Sequence, residues 1–93
     1  MSDVKRQSAV ARIANKRGLH ARASAKIVEA AARFESVITI SSDGQMVDAR
    51  SIMGLMMLAA GIGMQLQVVA EGSDCDEALI AIIALIQAKF GEE

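Results

Sequence analysis

Val37-Ile38-Thr39-Ile40-Ser41-Ser42-Asp43-Gly44-Gln45-Met46-Val47-Asp48-Ala49 decides the fold class. Ile38 and Ile40 alternate with Val37, Thr39 and Ser41, the period of a strand with one buried face. Asp43-Gly44 supplies a turn in which both central residues accept a left-handed backbone. Gln45 to Ala49 then reads as the return strand. A hairpin in mid-chain means that strands and helices do not alternate strictly, which sets aside a parallel α/β sheet.

Working outward, residues 8–14 place Ala9, Ala11 and Ile13 against Ser8, Val10 and Arg12, a weak strand pattern. Asn15 to Leu19 reads as a loop. From His20 to about Arg33 the period becomes helical. Ala23, Ile27, Ala30, Ala31 and Phe34 form the apolar stripe, and Arg22, Lys26, Glu29 and Arg33 the polar face. Beyond the hairpin, Ser51 to about Ala60 reads as a short helix with Ser51 as N-cap, broken by Gly61-Ile62-Gly63. Met64, Leu66, Val68 and Ala70 alternate with Gln65 and Gln67 in a fourth strand. Asp74 and Glu77 have the spacing of a capping pair at the start of a last helix, whose expected buried stripe is Leu79, Ile82, Ile83, Ile86 and Phe90. The order β-α-β-β-α-β-α predicts an α+β fold: a four-stranded antiparallel or mixed sheet with helices on one face.

The 93 residues are read as a single domain, 1–93. Hydrophobic residues make up 53% of the chain, but the only aromatics are Phe34 and Phe90, so aliphatic side chains must build the core. A net charge of −1 argues against nucleic acid as partner. The bases lean toward the N-terminal half (Lys5, Arg6, Arg12, Lys16, Arg17, Arg22, Lys26, Arg33), a field suited to an acidic protein surface. A lone cysteine, Cys75, precludes an internal disulfide, and it is read as a structural residue of the last helix's first turn. The N-terminus lacks the apolar core of a signal peptide, and no apolar run reaches the roughly 20 residues of a membrane span. These features predict a cytoplasmic protein away from the membrane.

The single histidine, His20, lies in Gly18-Leu19-His20-Ala21-Arg22-Ala23-Ser24-Ala25, where a glycine turn meets a helix start. Unpaired backbone N–H groups and the positive end of the helix dipole make this a place that holds phosphate. Arg22 adds a fork of donors for phosphate oxygens. The bland alternative is a surface histidine that merely caps the helix. One histidine and a distant cysteine do not make a metal ligand set, and no serine or cysteine has the context of a hydrolytic nucleophile. Transient phosphorylation suits a lone imidazole: the neutral ring attacks, and the helix end and Arg22 stabilise the arriving charge.

Ser51 is first of all a helix cap, worth about 1 kcal/mol; phosphorylation there is also electrostatically tolerated. Residues 52–60 are apolar nearly all round. Leu55 and Leu58 are expected to face the core, with Ile52 at the margin and Met53, Met56 and Met57 partly exposed. Such a cluster is either core filler or an adaptable docking surface. Lys16 and Arg17 are either solvated loop charges or an attraction for acidic partners. Gly61-Ile62-Gly63 is too short for a nucleotide loop.

The stretch Gly18 to Ala25 resembles the active-site signature of the HPr family, the histidine phosphocarriers of the phosphoenolpyruvate-dependent phosphotransferase system. Arg50-Ser51-Ile52-Met53-Gly54-Leu55-Met56 resembles that family's second signature, around its regulatory serine. The resemblance covers essentially the whole chain and implies an open-faced β-sandwich, with a four-stranded antiparallel sheet and three helices on one face. It implies that His20 accepts phosphate on Nδ1, that Arg22 stabilises it, and that Ser51 is the site of an ATP-dependent serine kinase. It further implies that Ile52, Met53 and Met56, with Arg17 and Ala23, meet the partners. Those partners would be Enzyme I as donor and EIIA domains as acceptors, with a serine kinase/phosphorylase at Ser51. A carrier of this kind is not an enzyme, uses no cofactor and acts as a monomer. The family usually has proline after the arginine, where this chain has Ala23; alanine suits a helix start and adds a backbone donor near His20. The variant is similar to the nitrogen-related, NPr-like branch.

Two rival readings differ in class. An interaction-only regulator would use the methionine helix and Ser51 without carrying phosphate, which leaves the His20–Arg22 pair unexplained. A small-molecule-binding α+β domain would need a pocket, which so aliphatic a chain does little to suggest.

Overall fold

The computed structural model describes residues 4–92. Positions 1–3, where the reading of the N-terminus as free of a signal peptide begins, lie outside the described residues. The elements are β1 (Arg6–Arg12), α1 (Ala21–Ala31), β2 (Val37–Ser42), β3 (Gln45–Asp48), α2 (Ile52–Met57), β4 (Gln65–Glu71) and α3 (Cys75–Gln87), then a short 3-10 turn, Lys89–Gly91. The sheet runs β1-β4-β2-β3, and every pairing is antiparallel. This settles the sheet as antiparallel rather than mixed.

The hairpin forms where the Asp-Gly pair predicts. Ser42 pairs with Gln45 across a two-residue loop, and Asp43 (φ 52°) and Gly44 (φ 84°) both take left-handed backbone. Period-2 alternation then sorts the sheet into two faces. Ala11, Ile38, Ile40, Leu66, Val68 and Ala70 are buried in one core with Ala23 and Ile27 of α1, Leu55 of α2, and Ala78, Ile82 and Ile86 of α3. On the opposite face Val10, Val37 and Met46 stay exposed. The sandwich is therefore open on one side.

Four expectations need correction. α2 ends at Met57 rather than near Ala60. Leu58 and Ala59 donate three residues back, to Leu55 O and Met56 O, and Ala59 turns left-handed (φ 51°), so the chain leaves the helix before the glycines. α1 likewise stops at Ala31, because Arg33 and Phe34 bond three residues back, and Phe34 is only half-buried. The buried stripe of α3 is Cys75, Ala78, Ile82 and Ile86, with Leu79 and Ile83 at its margins. Phe90 is buried but is not part of that helix: left-handed Lys89 and Phe90 (φ 58° and 56°) turn its ring back into the core. Finally, Asp74 does not cap α3 through its side chain. Its carboxylate accepts from Glu35 N, Ser36 N and Ser36 Oγ, which pins the start of β2 to the start of α3.

Candidate functional site

The loop that carries His20 is held at two points before the helix begins. Leu19 N donates to Ala60 O at 2.9 Å, docking the loop on the segment that follows α2. Gly18 takes φ 66°, and a Cβ there would lie 2.6 Å from Ala60 O and 2.9 Å from Gly61 Cα. Only glycine fits this crossing. Inside the turn, buried Asn15 donates from Nδ2 to Gly18 O at 2.8 Å.

His20 is the N-cap residue of α1, with extended backbone. Its carbonyl accepts from Ser24 N at 2.8 Å, and its ring Nδ1 accepts from Arg22 N at 3.2 Å. An imidazole nitrogen that accepts from an N–H carries no proton. In a neutral ring with that bond the other nitrogen, Nε2, is the donor, and it lies 2.7 Å from Glu92 Oε2. Glu92 Oε1 accepts in turn from Asn15 Nδ2 at 2.8 Å. These bonds hold the Glu92 carboxyl below its usual range, first through Asn15 and second through His20, with Arg17 contributing a weaker attraction. Positive groups are thus not the only ones facing the ring: a carboxylate lies against its far side.

The elements after α3 deliver that carboxylate. Lys26, on the polar face of α1, donates from Nζ to Phe90 O. The buried Phe90 ring and this bond fix the 3-10 turn from which Glu92 reaches back. Sequence reasoning missed Asn15, Lys26 and Glu92 as site residues. The polar Asn15 beside a glycine turn was the only local signal.

Arg22 is exposed on the first turn of α1, and its guanidinium forms no ion pair among the described residues. Ala23 is fully buried, so its methyl packs into the core. Any contribution of Ala23 to partner binding therefore rests on its backbone, not its side chain. Arg17 is exposed in the loop.

Ser51 caps α2: its Oγ accepts from Gly54 N at 2.9 Å, and its own N–H donates to Asp48 O. The entry to this helix is braced by Arg50, whose Nη2 donates to Phe34 O at 2.7 Å and whose N–H donates to Asp48 Oδ1. Leu55 and Leu58 are buried, while Ile52 and Met56 are about half as exposed as Met53 and Met57, at 40% and 42% against 71% and 72%. Because α2 packs beside α1, the four make an apolar surface on the same side of the fold as the helix that begins after His20. The structure forms no hydrogen bond between Ser51 and His20 among the described residues.

Among the described residues no group of three His, Cys, Asp or Glu side chains is placed to hold a metal ion. No described helix is long and apolar enough to cross a membrane. The concavity lined by Val10, Ser42, Met46 and Gln67 is on the open sheet side, away from His20.

The family model for the PTS HPr component phosphorylation site matches residues 7–88. The phosphocarrier protein HPr of Cupriavidus necator is 54% identical over 80 residues, 86% of this chain and 90% of that protein. The phosphocarrier protein NPr of Shewanella violacea is 45% identical over 80 residues, covering 86% and 88%. Among solved structures, HPr from Thermoanaerobacter tengcongensis superposes with a TM-score of 0.89 at 44% identity, over 94% of this chain and 98% of that one.

Proposed function

The chain belongs to the HPr family of phosphotransferase-system phosphocarriers, which are carriers and not enzymes, and from that premise we propose that His20 takes a phosphoryl group from phospho-Enzyme I and hands it to an EIIA domain. The observation that carries this reading is the Nδ1 of His20, which accepts from Arg22 N at the N-terminus of α1. Its lone pair attacks phosphorus, and the bond from phosphorus to the donor breaks with its electrons left on the donor. The backbone N–H groups of the first turn and the Arg22 guanidinium stabilise the oxygens in flight. In the second transfer the acceptor attacks, the P–N bond breaks, and the electron pair returns to Nδ1.

Ile52, Met53 and Met56, with Arg17 in the loop, form the surface on which donor and acceptor dock. Flexible, polarisable methionine side chains suit a surface that must fit two different partners. Ser51 is the regulatory position, phosphorylated by a serine kinase and restored by a phosphorylase. The carrier works as a monomer in the cytoplasm, as one domain, 1–93, in either the sugar or the nitrogen-related branch.

The test uses Enzyme I and labelled phosphoenolpyruvate. Wild-type protein is expected to take up acid-labile, base-stable label that is lost in His20→Ala, and transfer in Arg22→Ala is expected to be slower. A wild type that takes no label overturns the reading.

A further inference from the structure

We propose that Glu92 is a positioning residue for His20: its carboxylate keeps the ring proton on Nε2, so that Nδ1 stays a nucleophile, and it remains as counter-ion to the imidazolium that phosphorylation creates. The second half rests on the carrier reading; the first does not.

Four contacts show that this carboxylate is placed rather than free. Glu92 Oε2 lies 2.7 Å from His20 Nε2, and Glu92 Oε1 is fixed by Asn15 Nδ2. Asn15 has no exposure and donates also to Gly18 O, so it cannot swing away without opening the loop. Lys26 holds the Phe90 carbonyl two residues upstream. The Phe90 ring, 1% exposed, anchors the turn in the core. Both Glu92 and His20 are mostly covered, with side-chain exposures of 23% and 19%, where a charged hydrogen bond is screened less than on open surface.

The chemistry follows from the proton count. A neutral imidazole has one N–H, and only the ring nitrogen without it can attack. Glu92 as carboxylate can only accept, so Nε2 must donate. Arg22 N can only donate, so Nδ1 must accept. The two partners therefore select the same tautomer from opposite sides of the ring. When Nδ1 bonds to phosphorus, the ring becomes an imidazolium that keeps its proton on Nε2, and Glu92 sits against that charge. No proton leaves at any step. In the return transfer the departing group is a neutral imidazole, which leaves more readily than an imidazolate.

Glu92→Gln is a sharp probe because Asn15 fixes which way the amide faces. Asn15 Nδ2 demands an acceptor, so the Gln carbonyl turns toward it and the Gln NH2 turns toward His20. That NH2 donates to Nε2 and drives the ring proton to Nδ1, where it meets Arg22 N–H. The experiment is nitrogen-15 NMR of ring-labelled His20 in the full chain, beside the rate of label transfer from phospho-Enzyme I. Wild type is expected to show protonated Nε2 and unprotonated Nδ1. Glu92→Gln is expected to gain the Nδ1–H form and to transfer about 10-fold more slowly or worse, and Glu92→Ala to slow less. The same tautomer in wild type and Glu92→Gln overturns the proposal. A shifted tautomer with an unchanged rate overturns its link to transfer. A wild type that takes no label overturns the carrier reading instead, and the tautomer measurement still decides whether Glu92 sets the proton.

Discussion

Asn15 donates to Glu92 Oε1 at 2.8 Å and so joins the loop before His20 to a residue 77 positions later. The same amide nitrogen donates to Gly18 O. One buried side chain therefore sets both the turn that presents His20 and the carboxylate behind it. Asn15→Ala strips a partner from each acceptor and leaves a space in a closed turn. We expect a loss of about 1–3 kcal/mol, read as a lower denaturant midpoint at unchanged slope. Asn15→Asp is expected to be worse, because it sets a second carboxylate against Glu92.

The acid side of the stability curve has named owners. Asp74 titrates below its usual range, chiefly through the Ser36 hydroxyl and then the Glu35 N–H. Glu92 titrates low through Asn15 and then His20. A carboxyl that is lowered in the folded state binds its proton more tightly when unfolded. Its contribution to stability is therefore complete above the ordinary carboxylate range and is lost as pH falls below about 4 toward the lowered native value. Chemical denaturation from pH 7 down to pH 2.5 is expected to show this decline. Asp74→Asn is expected to flatten it, and to be less stable than wild type at pH 7 but closer to it in acid.

How much of this was legible follows from where each signal lay. Asp43-Gly44 declared the hairpin because only left-handed residues fit a two-residue loop, and both are left-handed. The Ala23–Ile27–Ala30 stripe declared α1, since polar residues fill the other face. In α2 nearly every side chain is apolar, so periodicity gave no edge, and Ala59, with no turn-forming preference, makes the exit. Phe90 fitted the extended period of α3 only because the left-handed break at Lys89 falls on residues that give no warning. His20 was legible as a candidate phosphate position from its own neighbours. Its contact with a carboxylate was not, because Glu92 lies 72 positions away and meets the ring only through the folded core.

Gly18 and Gly44 form a matched pair for testing the loop under His20. Both have positive φ, 66° and 84°, but a Cβ at Gly18 strikes backbone of Ala60 and Gly61, while one at Gly44 meets nothing within 4 Å. Gly44→Ala is expected to cost about 1 kcal/mol, the left-handed penalty alone. Gly18→Ala adds a clash that the backbone must relieve by moving, and about 2–4 kcal/mol is expected. The Leu19 N–H to Ala60 O bond should break with it, which hydrogen exchange at Leu19 will report as lost protection. Equal costs at the two glycines would show that the loop has room to shift.

The proposed docking role of α2 can be separated from folding along the helix's own length. Leu55 is fully buried and Met53 is 71% exposed, two residues apart. Leu55→Ala is expected to lose about 2–5 kcal/mol through its cavity. Met53→Asp should change stability by about 0.5 kcal/mol or less. If this face meets Enzyme I, Met53→Asp raises the KM for the carrier without lowering the thermal midpoint. An unchanged KM would remove Met53 from the interface.

Ser51 requires the same separation, because its hydroxyl already has a structural task. It accepts from Gly54 N, so Ser51→Ala loses a cap and is expected to cost about 1 kcal/mol. Asp is as good a cap as Ser, and its charge favours the positive end of the helix. Ser51→Asp should therefore fold as stably as wild type while setting a negative charge beside Ile52 and Met53. Slower transfer from phospho-Enzyme I in Ser51→Asp, but not in Ser51→Ala, would assign the effect to charge at the docking surface. Equal slowing in both would assign it to the loosened helix, and the regulatory role would fall.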